Sequence, residues 1–363
     1  MLYWRGVAGR FARPLELPPV LSPLFADSPR WAAYRPSEGA GLSPPIITDP
    51  NLPLVSVVTP SYNQGRFLDA TITSILSQDY PNLEYWVIDA GSTDETLTVL
   101  RSHAGDPRLA WISEPDQGQA DAINKGWTRC RGHVLAWLNA DDTYLPGAIR
   151  GQVAALLAAP SAGAVYGDAV YTDTAGHHGR RIYGRPFTPA AVLSLELPIQ
   201  PTVFLRRTVV AQAGPLDVRR RYSMDTDYWA RTIPLAPWAQ TNALIATYRL
   251  HPDSKTVAQS TGFYADWLAI VETYFAHPGV PPAEQAPRPA ILADIYAAMA
   301  NLEAQGGGLA AATRYAAYAL TLAGPRKRML KLPLALLDRV MPLGLATRAM
   351  ELWGWALRAR GRP

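Results

Sequence analysis

The stretch VSVVTPSYNQGRFLDATITSILSQDYPNLEYWVIDAGSTDET, residues 55–96, decides the fold. A short β-branched run at 54–60 ends at a proline and predicts a buried strand. After a loop, the apolar spacing of residues 67–78 predicts a helix with one buried face. After a turn, residues 84–91 predict a second strand, whose last residue is a glycine that permits a sharp bend.

Strand and helix patterns continue to alternate beyond this stretch. Ser92 with Glu95 three residues later is typical of a capping box that opens a second helix. A strand at 109–114, a helix at 119–130 and a strand at 133–142 are expected next. Alternation at this spacing predicts an α/β fold with a mainly parallel sheet and helices on both faces.

The second half of the chain has a mixed pattern. We expect a hairpin at 164–187 with its turn at 174–176, and a strand followed by a short helix at 200–214. Another helix is expected at 224–235 and a last strand at 242–254. After about residue 258 the pattern becomes helical. The sequence therefore predicts a Pro-rich arm at 1–51, an α/β domain at 52–257 and a helical extension at 258–363 with a basic amphipathic tail.

Composition narrows the function classes. The net charge of +4 over 363 residues is small and mixed, so we expect no nucleic-acid partner. A single cysteine, Cys130, excludes a disulfide framework and argues against a cysteine zinc site. We find no signal peptide and no run of about 18 apolar residues, so we expect no transmembrane helix. The resulting expectation is a cytoplasmic protein.

Polar residues gather directly after four predicted strands. They lie at Thr59–Asn63, Asp89–Asp94, Glu114–Asp121 and Asn139–Asp142. Each group alone is an ordinary set of turn residues. Because ligands of open α/β sheets bind beyond the carboxyl ends of the strands, the four groups together favour a binding site at one sheet edge.

Three blocks carry a strong resemblance to a known family. They are residues 55–96, the stretch SEPDQGQADAINKGW at 113–127 and the stretch LAWLNADDTYLPGA at 135–148. From Pro53 to about His251, over about 200 residues, the chain resembles the family 2 glycosyltransferases with the GT-A nucleotide-binding fold. The resemblance implies inverting transfer of a sugar from a nucleoside diphosphate sugar to a hydroxyl of a glycan or lipid-linked acceptor, in polysaccharide biosynthesis of the cell envelope.

The resemblance also implies a set of donor contacts. The residues placed against the nucleotide sugar are Pro60, Ser61, Tyr62, Asn63, Asp89, Gly91, Ser92, Asp121, Lys125, Asn139, Ala140 and Asp141. The Asp-Asp pair of the family is Asp89-Ala90 here, so one carboxylate is missing and the identity of the base stays open. Asp121 and Lys125 lie one helical turn apart, so an internal ion pair on a solvated face is an equal alternative.

A divalent cation is implied by the chemistry of the leaving group. Departure of a nucleoside diphosphate builds negative charge, which Mn²⁺ or Mg²⁺ stabilises through oxygen ligands. The DxD-like motif of the family reads NADD at 139–142. The resemblance implies Asp141 and His251 as metal ligands. Arg249 and Lys255 are expected to add positive charge near the diphosphate. Asp142 is assigned a catalytic role, either orienting the loop or contacting the sugar, and an Asp-Asp pair that caps a turn is the alternative.

The acceptor side needs a base that removes the hydroxyl proton. The acidic motif of the family matches SMDTDYWAR, residues 223–231, with methionine in place of the usual glutamate. Asp225 is therefore the predicted catalytic base and Asp227 the alternative, although acids at this place also complement a helix dipole. Gln200 and Trp229 are predicted to bind the acceptor, and Trp229 is equally suited to a core.

The tail leaves two interpretations open. Basic residues interleaved with Leu, Met, Trp353 and Trp355 suit a helix at the membrane surface. A helix that packs on the catalytic domain or in a dimer is the alternative. Membrane contact would place the protein at the inner face of the cell membrane, near a lipid-linked acceptor. The QxxRW motif of processive synthases does not follow the catalytic region, which argues against a polymer-extruding synthase.

Two other functions were weighed. Ala90, Asn139 and Met224 could mark the decay of a site, leaving a sugar-nucleotide-binding protein without turnover. A nucleotidyltransferase would normally show a Gly-rich first loop with a basic residue, and SYNQG at 61–65 does not match that pattern.

Overall fold

The computed structural model describes residues 52–188, 191, 197–254, 260–276, 280, 288–305 and 308–323. The chain divides into two compact units, residues 1–259 and 260–363. The predicted Pro-rich arm and the basic tail lie outside the described residues. The three-segment division of the chain therefore stays a prediction. In the parts that are described, no helix has both the length and the apolar composition needed to cross a bilayer.

One mixed eight-stranded sheet organises the first unit. The strands are β1 Val55–Ser61, β2 Leu83–Asp89, β3 Leu109–Ser113, β4 Val134–Trp137, β5 Ala164–Thr172, β6 His178–Ile182, β7 Phe204–Arg206 and β8 Trp238–Arg249. Their order is β3-β2-β1-β4-β7-β5-β6, and β8 pairs with β5. Strands β3, β2, β1 and β4 run parallel, as do β5 and β8, whereas β7 is antiparallel to both of its neighbours. The predicted α/β class is confirmed.

Helices connect the strands on both faces. In the first unit they are α1 Gly65–Leu76, α2 Thr96–Ser102, α3 Gln119–Arg129, α4 Ala148–Ala158, α5 Arg207–Ala213 and α6 Met224–Thr232. The apolar face of α1 places Leu68, Ile72 and Ile75 in the same core cluster as Val57 of β1. Val58 points to the other face, where α3 comes so close that a Cβ on Gly126 would lie 2.5 Å from it. Both faces of β1 are therefore covered, which explains its continuous apolar run.

Several boundaries differ from the sequence-based expectation. Helix α2 begins at Thr96, with Glu95 before it, and Ser92 caps nothing. Instead, the Ser92 hydroxyl accepts the N–H of Asn63. The predicted capping box is wrong because the serine is already engaged by the loop after β1. The predicted strand at 200 is a 3-10 turn, Gln200–Thr202, ahead of the short strand β7.

The second unit contains helices α7 Ser260–Ala276, α8 Arg288–Gln305 and α9 Leu309–Ala323. Helices α8 and α9 pack through small side chains, which form a cluster of Ala297, Ala300, Ala312, Ala316 and Ala319. Small residues let the two helix backbones approach closely.

Candidate active site

A cleft of about 730 Å³ opens beyond the carboxyl ends of β1, β2, β3 and β4. Other walls come from residues 218–224, ahead of and at the start of α6, and from residues 248–254, at and after the end of β8. This is the edge at which parallel α/β sheets bind ligands. The predicted site residues that line the cleft are Pro60, Ser61, Tyr62, Asn139, Ala140, Asp141 and Asp142.

Asp141 and His251 meet at the β4 end of the cleft. The His251 Nε2 atom lies 3.0 Å from Asp141 Oδ2. The imidazole is fully buried and packs against the Phe67 ring, while the Asp141 side chain keeps 18% of its surface exposed. On the other side of the ring, Arg66 Nη2 lies 3.5 Å from Nδ1 and also pairs with Asp253 at 2.8 Å.

The donor atoms at this place suit a divalent cation that is held jointly with a substrate. Among the residues described, no group of three or more His, Cys, Asp or Glu side chains forms a complete metal site. Mg²⁺ and related cations are commonly bound by one or two protein ligands, with waters and substrate phosphates completing the shell. Neighbouring ligands of an octahedral cation lie roughly 3 Å apart, and the Asp141–His251 separation of 3.0 Å matches this spacing.

Asp142 has a different environment from Asp141. Its side chain is buried, and its Oδ1 accepts the backbone N–H of Arg249 at 2.8 Å. Burial raises the pKa of Asp142 well above its ordinary range, and the neighbouring charge of Asp141 adds to the rise. The contact ties the 139–142 turn to β8. This geometry favours the loop-orienting role for Asp142 over contact with the sugar.

Arg249 lines the cleft and also braces the neighbouring loops. Its guanidinium donates to the carbonyl oxygens of Asp141, Asp173 and Thr174, at 2.8, 3.0 and 3.1 Å. It also lies over the Phe67 ring, 4.9 Å from the centroid. The prediction that Arg249 and Lys255 supply charge near a diphosphate stays a prediction, and Lys255 lies outside the described residues.

A chain of side-chain amides crosses the floor of the cleft. Gln119 Nε2 donates to Asn139 Oδ1 at 2.7 Å, and Asn139 Nδ2 donates to Gln200 Oε1 at 3.0 Å. Gln200 Nε2 in turn donates to the carbonyl of Trp137 at 2.9 Å. Asn139 and Gln200 are therefore held in fixed orientations. The predicted role of Gln200 in acceptor binding stays a prediction.

The turn after β2 is built around Asp89. This side chain is fully buried and accepts the N–H groups of Gly91 and Ser92 and the hydroxyls of Ser92 and Ser113. Asn63, at φ +50°, clamps the loop after β1 onto this turn by accepting the N–H of Thr93 at 2.9 Å. The structure thus places Asp89, Gly91, Ser92 and Asn63 in a scaffold behind the cleft wall. Direct contact of these residues with a base stays a prediction.

Asp94 is a scaffold residue that the sequence analysis did not single out. Its two oxygens accept the N–H groups of Gly65 and Thr96 at 2.9 and 3.0 Å. One carboxylate therefore caps the first residues of both α1 and α2. Burial raises the pKa of Asp94, but these hydrogen bonds outweigh it and the pKa is lowered overall.

The Asp121–Lys125 pair forms the internal contact that was the alternative interpretation. Lys125 Nζ lies 3.5 Å from Asp121 and 3.3 Å from Glu114, and it donates to the carbonyl of Pro115 at 2.8 Å. The lysine thereby fastens α3 to the loop that precedes it. Contact of either residue with the donor stays a prediction.

The two candidate bases occupy unlike environments on α6. Asp225 is partly exposed in the first turn, between Met224, which lines the cleft, and the buried Thr226, whose N–H it accepts at 2.7 Å. Asp227 is buried and pairs with Arg231 at 2.9 Å. Asp225 is not among the described residues that line the cleft, so its role as the base stays a prediction. The buried ion pair of Asp227 indicates a structural role.

Trp229 is a core residue. It has no exposed surface and stacks on Trp137 with ring centroids 5.0 Å apart, while Trp238 meets it edge-on at 5.1 Å. The prediction that Trp229 binds an acceptor is wrong, because the ring is enclosed by these aromatic neighbours.

Other cleft residues were not singled out by the sequence analysis, although Asp116 belongs to the polar group at 114–121. Arg220, Arg221 and Tyr222 line the wall ahead of α6, and Asp116 lines the wall after β3. The run of three arginines at 219–221, one residue ahead of the acidic motif, was the available signal for the first group. For Asp116, the signal was a carboxylate directly after a predicted strand.

Sequence comparison identifies the class of protein that this fold and cleft define. The profile described as "Glycosyl transferase family 2" matches residues 56–206. The PGL/p-HBAD biosynthesis glycosyltransferase of Mycobacterium bovis (strain BCG / Pasteur 1173P2) is 31% identical over 180 residues, which cover 48% of this chain and 68% of that protein. The chain belongs to glycosyltransferase family 2.

Larger proteins contain a similar segment. The O-antigen biosynthesis protein RfbC of Myxococcus xanthus is 30% identical over 203 residues, covering 54% of this chain and 16% of that protein. The chondroitin synthase of Escherichia coli is 37% identical over 99 residues, covering 27% of this chain and 14% of that protein. The chain spans only a small part of the length of these two relatives.

Solved structures share the fold. S. aureus TarS 1–349 in complex with UDP-GlcNAc superposes with a TM-score of 0.56 at 14% identity, covering 79% of this chain and 84% of that one. The mannosyltransferase PcManGT from Pyrobaculum calidifontis, in complex with GDP-Man and Mn²⁺, gives 0.51 at 19% identity, covering 91% and 85%. These likenesses confirm the predicted GT-A fold.

Proposed function

We propose that this glycosyltransferase moves a sugar from a nucleoside diphosphate sugar to a hydroxyl of a glycan or lipid-linked acceptor, with inversion. One observation carries the proposal: Asp141 and His251 meet at one end of a cleft whose walls come from four strand ends. Two relatives that act in O-antigen and PGL/p-HBAD biosynthesis support a cell-envelope glycan or glycolipid as product.

The proposed reaction has one displacement step. Asp225 takes the proton of the acceptor hydroxyl, and that oxygen attacks the anomeric carbon from the face opposite the diphosphate. The bond between the anomeric carbon and the diphosphate oxygen breaks, and its electron pair leaves with the diphosphate. Because attack and departure occur on opposite faces, the anomeric configuration inverts.

Asp141 and His251 are the residues that would hold Mn²⁺ or Mg²⁺. When bound, such a cation supplies positive charge to the departing diphosphate. Asp142 and the amide chain of Asn139 and Gln200 keep the Asp141 turn in place, because their hydrogen bonds fix it to β8 and to the end of β4. The proposed donor contacts Ser61 and Tyr62 line the same cleft as Asp141.

The place of action is also part of the proposal. We infer a cytoplasmic enzyme that works at the inner face of the cell membrane, with the basic tail as the attachment. The composition of the tail, which mixes arginine with leucine and tryptophan, supports this inference.

The test is release of nucleoside diphosphate from a panel of UDP-, GDP- and dTDP-sugars, with Mn²⁺, with Mg²⁺ or with a chelator. We expect turnover of at least one donor by the wild type. We expect loss of turnover with retained donor binding in Asp225→Asn, because the amide cannot take the acceptor proton. The anomeric configuration of the product, read by NMR once an acceptor is found, tests inversion.

A binding protein without turnover is the competing function. Tight binding of nucleotide sugars with no release of diphosphate, under all three metal conditions and with a broad acceptor mixture, would support it. Full activity of Asp225→Asn would instead remove this residue from the mechanism and leave the transferase function intact.

A further inference from the structure

The loop after β3, residues 114–118, is held rigidly against the end of β2. The Ser113 hydroxyl donates to Asp89 Oδ2 at 2.6 Å, and the Glu114 N–H donates to the Asp89 carbonyl at 3.0 Å. Farther along the loop, Lys125 Nζ donates to the carbonyl of Pro115 at 2.8 Å. The loop is thus fastened at its start and at its middle, so the side chains that it carries into the cleft have fixed positions.

Asp116 is the carboxylate that this loop presents. Its Oδ1 accepts the N–H of Gly118 at 2.7 Å, a contact that uses the positive φ of +116° at that glycine. The hydrogen bond orients the carboxylate and leaves acceptor capacity on both oxygens. Burial raises the pKa of Asp116, with smaller contributions from the negative charges of Asp121 and Asp89.

The surrounding wall suits a planar ring. Pro60, Tyr62, Ala90 and Pro115 line the same cleft as Asp116, and the Tyr62 side chain is 60% exposed although it is aromatic. Proline and tyrosine faces and a small alanine side chain offer apolar surface for stacking. The end of the cleft formed by β1, β2 and β3 therefore combines flat apolar surfaces with one oriented carboxylate.

The other cleft carboxylates lie elsewhere. Among the described residues, Asp141, Asp142 and Asp253 also line the cleft, and all three belong to the end near His251. If the diphosphate lies at that end, as in the proposed function, the nucleoside extends toward β2 and β3. Asp116 is then the carboxylate at the nucleobase end.

We propose that Asp116 selects the nucleobase of the donor, by accepting a hydrogen bond from a protonated ring nitrogen. This inference rests on the proposed function and names its donor class. Uracil, thymine and guanine carry such an N–H on their pairing edge. Cytosine and adenine carry an unprotonated ring nitrogen there. Its lone pair would face the carboxylate oxygen, so two hydrogen-bond acceptors would meet with no proton between them.

Binding of free nucleoside diphosphates tests the inference without an acceptor. Affinities of UDP, dTDP, GDP, CDP and ADP are measured by calorimetry with wild type and with Asp116→Asn. We expect the best of UDP, dTDP and GDP to bind at least about tenfold more tightly than CDP and ADP in the wild type. In the variant, this ratio falls to about threefold or less, because a neutral amide both donates and accepts.

A matched control separates charge from position. Asp69→Asn makes the same change on α1, where the side chain is exposed and pairs with His103, and it leaves the base preference of the wild type unchanged. Circular dichroism melting shows whether each variant is folded. A shared binding loss with an unchanged base ratio in Asp116→Asn would assign the residue to structure and overturn the inference.

The binding results also distinguish failure of base selection by Asp116 from failure of the proposed glycosyltransferase function. If the wild type binds several nucleoside diphosphates with equal affinity, base selection is wrong and the transferase proposal stands. If it binds none of them, with or without Mn²⁺, the nucleotide donor itself is wrong and the inference is overturned with it.

Discussion

His251 Nε2 lies 3.0 Å from Asp141 Oδ2, although 110 residues separate the two in the chain. The loop after β4 and the turn after β8 are brought together by a second contact, in which the N–H of Arg249 donates to Asp142. Both acids line the cleft, but Asp141 keeps an exposed surface whereas Asp142 is buried and braces the loop. Asp141 and Asp142 carry the same side chain, so the difference between their environments comes from their different burial.

Asp141→Asn should lower transfer by at least about 100-fold, since the variant loses negative charge at the point where a cation would be held. The melting temperature should stay within about 3 °C of the wild type, because the amide can still accept a hydrogen bond from His251. Donor turnover and thermal melting measure the two effects. Asp79→Asn, which alters an exposed pair with Arg150, is the control, and full activity of Asp141→Asn would contradict the proposed role.

Asp225→Asn and Asp227→Asn should have opposite effects on turnover and on stability. The first should reduce turnover by about 100-fold or more, because the amide cannot take the acceptor proton. Its stability should change little, because the Asp225 side chain is only partly buried. The second removes the buried partner of Arg231 and should cost about 1–3 kcal/mol of unfolding free energy. Turnover and urea unfolding of both variants decide the matter. An inactive Asp227→Asn of normal stability would exchange the two assignments.

The sequence could predict the parallel half of the sheet because that information is local. β1, β2 and α1 follow from apolar periodicity within the 55–96 stretch, and parallel strands place their carboxyl ends at one edge. The groups at 59–63 and 139–142 therefore came together in the cleft as expected. Asp141 and His251 were assigned to one site through the family resemblance, and their separation agrees with that assignment.

The remaining features depend on contacts between distant residues. Trp229 became core because Trp137 and Trp238 enclose it. The guanidinium of Arg249 donates hydrogen bonds to backbone carbonyl groups of two other loops. Neither helix and strand propensities nor motifs indicate which distant residues will contact a side chain. Burial and hydrogen bonding at such positions can therefore be read only from the folded structure.

A pH effect is expected from Glu84, at the start of β2. Burial raises its pKa, but hydrogen bonds from Ser56, Arg131 and Gly132 outweigh burial and hold the pKa below the ordinary value of 4.5. A carboxylate with a lowered folded pKa stabilises the protein above that value, and the stabilisation is lost as the pH falls through the folded pKa. Glu84→Gln should therefore be less stable by about 1–3 kcal/mol at pH 7.

The gap in unfolding free energy between wild type and Glu84→Gln should narrow as the pH falls below about 4.5. Urea unfolding of both proteins at pH 7, 5, 4 and 3 measures this difference in unfolding free energy. Other acids with lowered pKa contribute equally to both proteins, so the difference isolates Glu84. A gap that stays constant across this range would show that the charge of Glu84 contributes nothing.

Gly65→Ala should destabilise the site scaffold. A Cβ at this position would lie 2.6 Å from the backbone nitrogen of Thr96 and 2.6 Å from Cγ of Glu95, so the starts of α1 and α2 must separate. We expect a loss of about 1–3 kcal/mol in unfolding free energy. Donor affinity should fall as well, because Asp94 holds Gly65 and thereby the loop that forms one cleft wall.

Gly151→Ala is the matched control for this substitution. Gly151 also lies in a helix, and a Cβ there would meet nothing within 4 Å. Replacing an exposed helical glycine by alanine should stabilise the protein by about 0.5–1 kcal/mol. Urea unfolding and nucleotide titration of both variants give the comparison. If Gly65→Ala were as stable as Gly151→Ala and bound donor normally, close packing of α1 against α2 would not be what positions the loop after β1.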